Sequence, residues 1–285
     1  MSEQDPQPRD RFARAGRRHR FTAREVHVAE TARPVDAFIR VTFSGPELHD
    51  FVSTGPGDHV RLFFPHPITG ELVAPAPAGP GEDGIVRPEA PMFARDFTPL
   101  NVRVDPESDG TLVDVDFLRH PDPGPASAWA EAAAAGDRLV AVGPRGSRGV
   151  PAAADRILCV ADASALPSAA RWIAQAPEGT TVEVLADLHP ADLDWADAYL
   201  RELSGRAAEV YEVFGDLGGA VRDFGVDEGT FVVASGEAGR LIPLRKLLKY
   251  ELGLPREQYA ISGYWKRGMV AFDHHAPIDP ADPDD

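Results

Sequence analysis

The sequence predicts two domains, a six-stranded antiparallel β-barrel followed by a parallel-sheet α/β domain. Three observations carry this reading. Apolar and polar residues alternate up to about residue 150, while beyond it short apolar runs alternate with helical patterns. The length of 285 residues suits two ordinary domains.

In the first half, Ile39, Val41 and Phe43 are apolar while Arg40, Thr42 and Ser44 between them are polar. Val113, Val115 and Phe117 form a second such face. A period of two means half-buried strands. Further strands are expected at 26–31, 59–64, 101–104 and 138–142, with one helix at 126–135. Many strands and one helix point to a closed barrel. The proline- and glycine-rich stretch 65–91 reads as a long loop without strand or helix.

In the second half, apolar strands are expected at 156–161, 181–186, 208–214, 230–235 and 258–264. Helical patterns fall between them at 165–175, 193–203, 217–224 and 238–252. Leu241, Leu244, Leu247, Leu248 and Leu252 follow the helical period in the last of these. Apolar runs separated by helices mean βαβ units, whose ligands bind beyond the carboxyl ends of the strands. The domain boundaries read as a mobile arm over 1–18, a barrel over 19–150, an α/β domain over 151–272 and a disordered acidic tail over 273–285.

A formal net charge of −16 argues against a nucleic-acid binder and against adhesion to an anionic membrane. The single cysteine, Cys159, lies in an apolar run and reads as a core residue, so neither a disulfide nor an iron–sulfur cluster is expected. The N-terminal stretch lacks a signal-peptide core, and no apolar run is long enough for a membrane span. A cytoplasmic monomer is expected. The nine histidines show no ligand spacing, so no protein-bound metal is expected either. Hydrolase motifs are lacking.

Several short segments carry chemistry. Arg95, Phe97 and Thr98, with Asp96 among them, place a cation, a ring and a hydroxyl together on a strand. Such a set suits a flat anionic cofactor, although plain strand surfaces also carry it. Gly124-Pro125 opens a helix with Ser127 in its first turn, either an ordinary helix start or a seat for a pyrophosphate. Asp162 and Ser164 end a strand and can cap the next helix. Gly236-Glu237 marks another strand-to-helix loop, and Asp187 either reaches a ribose or serves a turn. The common Gly-x-Gly-x-x-Gly fingerprint is missing.

In order and spacing, these segments resemble the siderophore-interacting protein family of ferric-siderophore reductases, within the wider ferredoxin-reductase group. The matching blocks are Arg95-x-Phe97-Thr98, Gly124-Pro-Ala-Ser-x-Trp129-Ala130, Gly143-Pro-Arg-Gly146, Asp162-x-x-Ala165-Leu-Pro167, Gly236-Glu237 and Gly263-Tyr264-Trp265-Lys266-x-Gly268. The resemblance implies that Arg95, Phe97 and Thr98 hold FAD, with Asp96 beside them. Asp116, His120, Ala126, Ser127 and Trp129 would line the rest of that site. Asp162, Ala165, Leu166, Gly236 and Glu237 would flank NADPH or NADH. Three positions depart from the family pattern. Phe97 stands where Tyr is frequent, Ala163-Ser164 replaces Glu-Thr, and Leu100 replaces an Arg whose contact Arg103 could supply.

The implied activity is reduction of a ferric siderophore by NAD(P)H through FAD, with no catalytic side chain of its own. Arg61, Lys266 and Arg267 are the expected cations for the anionic iron chelate. The alternatives are a general flavin or quinone reductase of the same architecture, or a siderophore-binding flavoprotein without turnover.

Overall fold

The alternating first half closes on itself. The computed structural model describes residues 11–120, 123–270 and 272–283. They form two compact units, Gly16–Arg148 and Gly149 onward, the latter joined by the residues before Gly16.

The first unit holds β1 (Gly16–Arg18), β2 (Ala23–Val35), β3 (Phe38–Ser44), β4 (Val60–Phe64), β5 (Ala76–Pro77) and β6 (Ile85–Val86). It continues with β7 (Phe93–Phe97), β8 (Pro99–Val104), β9 (Thr111–Leu118), helix α1 (Pro125–Ala132), β10 (Arg138–Val142) and β11 (Gly146–Arg148). The main sheet runs β7-β4-β10-β2-β3-β9-β8, antiparallel throughout. Its first and last strands are consecutive in sequence and separated only by Thr98. Residues 93–104 are therefore one strand bent at Thr98, and the sheet is a closed six-stranded barrel, as expected. Ile39, Val41, Phe43, Val60, Leu62, Phe64, Val113, Val115, Phe117, Leu139 and Ala141 fill it. They occupy every second strand position, and burying each larger one contributes about 1.5–3 kcal/mol.

The 65–91 stretch departs from the expected structureless loop. Its β5 and β6 pair as a short antiparallel ladder, and Leu72, Ala74 and Ile85 pack against Ala23, Phe63 and Val142. Proline tolerates such brief edge pairing because few N–H groups are needed.

The second unit contains a five-stranded parallel sheet ordered β14-β13-β12-β15-β16. The strands are β12 (Arg156–Ala161), β13 (Thr181–Ala186), β14 (Glu209–Glu212), β15 (Thr230–Glu237) and β16 (Tyr259–Trp265). Helices α2 (Leu166–Gln175), α3 (Leu193–Ser204), α4 (Leu217–Phe224) and α5 (Ala238–Lys246) connect them. The last helix ends earlier than its leucine period suggests, passing into a wider π-helical turn at Leu247–Glu251 that leaves Leu252 exposed. The strand order reverses beside β12, creating a switch point between β12 and β15. Cys159 lies buried in β12, where desolvation pushes its thiol pKa up, so it is a core residue.

Both chain ends depart from expectation. Within the supposed mobile arm, Phe12 is buried against Phe231, and β1 pairs with β11. Residues 1–10 lie outside the described part. In the supposed disordered tail, Ile278 is buried among Leu244, Leu247 and Leu248. Asp282 accepts hydrogen bonds from Arg245 at 2.5 Å, Tyr250 at 2.6 Å and Lys249 at 3.1 Å. An isoleucine and well-partnered carboxylates offset the ordering entropy that composition alone would not.

The tail contact makes a pH prediction. Hydrogen bonds from Tyr250, Arg245 and Lys249 hold the Asp282 carboxyl well below its usual range. The stability it contributes is present above the unfolded carboxyl pKa of about 3.9 and is lost as pH falls towards the lower folded value. Asp282→Ala should lower the melting temperature at neutral pH, and the gap from the parent should shrink on acidification below pH about 3.9. A gap unchanged in acid would show that the carboxylate charge does not hold the tail.

Candidate functional site

Strand β7 puts Arg95 in register with Leu62, on the strand face shared with Phe93 and Phe97. Its guanidinium is half-buried and donates to the Ala94 carbonyl at 2.7 Å. Among the described residues it forms no ion pair, and burial lowers its pKa against the opposing pull of the neighbouring Asp96 carboxylate. A desolvated cation of this kind fits a phosphate. Phe97 is partly exposed, with its ring centroid 4.4 Å from Phe117 and 6.1 Å from Phe64. Thr98 stands at the bend, and its hydroxyl has no partner among the described residues.

Helix α1 starts at Gly124-Pro125 with no side-chain cap, so its first amides, including those of Ala126 and Ser127, remain available. The Ser127 hydroxyl donates to the Leu118 carbonyl at 3.2 Å, tying the helix to β9. Trp129 packs on Phe43, Phe64 and Phe117 with centroid separations of 6.3, 5.5 and 5.9 Å. Its ring therefore braces the barrel interior. His120 is exposed at the end of β9.

Four of the expected residues in this unit have charged partners within the protein. The fully buried Asp116 carboxylate pairs with Arg40 through two 2.7 Å bonds. Asp96 and Arg61 are likewise spent on each other, at 2.9 and 2.6 Å. Arg61 is thus not a free cation for an iron chelate. Arg103 does not replace the missing arginine at Leu100, since it pairs with Asp114 at 2.9 Å and Leu100 is buried.

In the second unit the switch point gathers Asp162, Gly236 and Glu237. Asp162 accepts from the Ser164 amide at 2.9 Å and hydroxyl at 2.6 Å, the Glu237 amide at 2.9 Å and Trp265 Nε1 at 2.7 Å. Burial raises its pKa while these donors lower it. Gly236 has φ 146°, and a Cβ there would lie 2.6 Å from an Asp162 oxygen, so only glycine fits. Glu237 caps α5 through the Arg240 amide at 2.7 Å and also accepts the Arg267 amide at 3.0 Å. The side chains of Ala165 and Leu166 are fully buried, so these residues offer only backbone to a nucleotide. Lys266 and Arg267 follow β16, and neither side chain has an ion-pair partner among the described residues.

Two participants escaped the sequence reading. Trp265 was legible as part of a motif, yet its bond to Asp162 crosses 103 positions. Arg240 pairs with Asp187 through two 2.5 Å bonds, and nothing local to either residue announces the other.

A six-stranded barrel with an anion-ready strand, joined in one chain to a parallel sheet with a strand switch point, defines the flavin- and nicotinamide-dependent reductase class. The siderophore-interacting FAD-binding domain matches residues 27–148, and the siderophore-interacting protein domain matches residues 154–268. The chain belongs to the siderophore-interacting protein family. A siderophore utilization protein from T. fusca superimposes with a TM-score of 0.77 at 34% identity, covering 93% of this chain and 100% of that one. The NADPH-dependent ferric-chelate reductase of Escherichia coli K12 is 40% identical over 149 residues. That alignment spans 52% of this chain and 55% of the relative, about half of each. The ferric vibriobactin reductase of Vibrio cholerae is 26% identical over 246 residues, 83% of this chain and 87% of the relative.

Proposed function

We propose that this chain is an NAD(P)H-dependent, FAD-containing reductase of ferric siderophores. The observation that carries it is Arg95, a half-buried guanidinium that forms no ion pair among the described residues, in a chain of net charge −16. Phe97, Thr98 and the uncapped start of α1 share its unit and complete a donor set suited to FAD. When bound, FAD supplies the exchange between a two-electron donor and one-electron acceptors.

The chain's own residues bind and orient. Arg95 pairs with phosphate, Phe97 offers a ring face, and Thr98 hydrogen-bonds the ring edge. The amides of Ala126 and Ser127 at α1 meet the pyrophosphate. In the other unit, Asp162 locks the 236–237 loop and Trp265 in place, which fixes the floor on which the nicotinamide lies. Gly236 keeps that floor clear of side chains. NADPH supplies two electrons as hydride, and two ferric chelates each accept one. Siderophore oxygens hold Fe(III) more tightly than Fe(II), so reduction loosens the metal. Lys266 and Arg267 attract the anionic chelate against the negative charge of the molecule. We assign FAD to the barrel unit Gly16–Arg148 and the nicotinamide nucleotide to the unit from Gly149 onward.

The test is an anaerobic titration of the purified yellow protein. NADPH should bleach the flavin band, and a ferric siderophore should restore it while a ferrous trap colours. Lys266→Ala should raise the KM for an anionic ferric siderophore at low salt, with the defect shrinking as salt screens it. Turnover of a neutral quinone should be unchanged. Equal loss with both acceptors would take Lys266 out of the substrate site, and failure of NADPH to bleach the flavin would overturn the function.

A further inference from the structure

The carboxyl ends of β13, β14 and β15 are bridged by one side chain. Arg240, in the first turn of α5, donates from Nε and Nη2 to the two oxygens of Asp187, each at 2.5 Å. Its Nη2 also donates to the carbonyl of Gly215, at 3.1 Å. Asp187 follows β13 directly, anchored by its amide on the Ala161 carbonyl at 2.8 Å. The fork leaves the two hydrogens of Nη1 with no partner among the described residues, and the Arg240 side chain is 40% exposed.

This edge of the sheet has a definite chemistry. In parallel nucleotide-binding folds, a carboxylate beyond the second strand takes the ribose 2′-hydroxyl of NADH, whereas an arginine nearby accommodates the 2′-phosphate of NADPH. Here both groups are present and each occupies the other. Asp187 has both oxygens engaged, so a ribose diol must compete with a bidentate guanidinium. Arg240 is held rigid and still offers two donors. The neighbouring carboxylates are committed to helix starts. Asp216 accepts the Gly219 amide at the head of α4, and Glu237 accepts the Arg240 amide at the head of α5. The positive ends of those two helices offset their charge.

We infer that Arg240 is the residue that selects NADPH over NADH, contacting the 2′-phosphate through Nη1 while Asp187 positions it. The inference rests on the nicotinamide reading of this unit and deepens it. Arg240 acts on the far end of the nucleotide, so it sets affinity and not the hydride step.

The experiment is calorimetric titration of the flavin-loaded full chain with two fragments, 2′,5′-ADP and 5′-ADP. The parent protein should bind 2′,5′-ADP at least tenfold more tightly. Arg240→Gln should cost about ten- to hundredfold for 2′,5′-ADP and leave 5′-ADP within about twofold. Arg240→Lys, which keeps the charge but loses the fork, should recover part of the loss. Equal affinity of the parent for both fragments, or a preference that survives in Arg240→Gln, would overturn the assignment. If neither fragment binds and neither NADH nor NADPH bleaches the flavin, the nicotinamide reading itself falls.

Discussion

Replacing Arg95 with alanine is expected to strip FAD from a barrel that stays folded. The side chain contributes little to the fold, because its one hydrogen bond among the described residues goes to the adjacent carbonyl of Ala94. The barrel core lies instead in the alternating residues of β3, β4, β9 and β10. A charge-assisted contact to phosphate is worth about 1.5–3 kcal/mol, so FAD affinity should fall about ten- to hundredfold. Burial strengthens the case, since a guanidinium already part-desolvated has less hydration to lose when the phosphate arrives. The measurement is flavin absorbance per protein after extensive dialysis, with far-ultraviolet circular dichroism as the folding control. Full retention of flavin by a folded variant would place the phosphate elsewhere.

What the sequence made legible was local and periodic. The faces Ile39-Val41-Phe43 and Val113-Val115-Phe117 read directly as strands, because alternation is a property of neighbours. The five parallel strands and four helices after residue 150 were readable for the same reason. The closure of the barrel was not, because β7 and β8 look like one stretch until Thr98 bends it between β4 and β9.

The site residues divide along the same line. Motif spacing singled out Arg95, Phe97, Asp162 and Gly236 as candidates. It could not say which carboxylates were already spent. Asp116 pairs with Arg40 across 76 positions, and Asp96 pairs with Arg61 across 35. Ion pairing is a question of three-dimensional supply, and a list of charged residues carries no such information. The same blindness hid Arg240, whose partner Asp187 lies 53 positions away. Composition misled most at the ends of the chain, where a polar average conceals single apolar anchors such as Phe12 and Ile278.

Phe12→Ala should therefore destabilise the α/β unit severely, although the residue sits in a stretch that composition marks as a tail. Phe12 is 2% exposed, and its ring lies 6.1 Å from that of Phe231 on β15. Phe231 in turn stacks on Trp172 of α2 at 5.6 Å, and the Arg14 guanidinium lies over both rings at 5.4 and 5.7 Å. Arg11 pairs with Asp155 at 2.9 Å, and the Gly149 amide donates to the Ala15 carbonyl at 2.8 Å, so the segment is fixed on both sides of the ring. Truncating a buried phenylalanine to alanine typically costs about 3–5 kcal/mol, from lost burial and the cavity left behind. An exposed arm residue would cost at most about 0.5 kcal/mol. The gap between these values is wide enough to decide the matter by urea denaturation followed by tryptophan fluorescence, since Trp172 reports on the affected unit. FAD should stay bound below the transition, because every residue assigned to it belongs to Gly16–Arg148. A midpoint unchanged from the parent would return residues 11–15 to the role of a solvated arm.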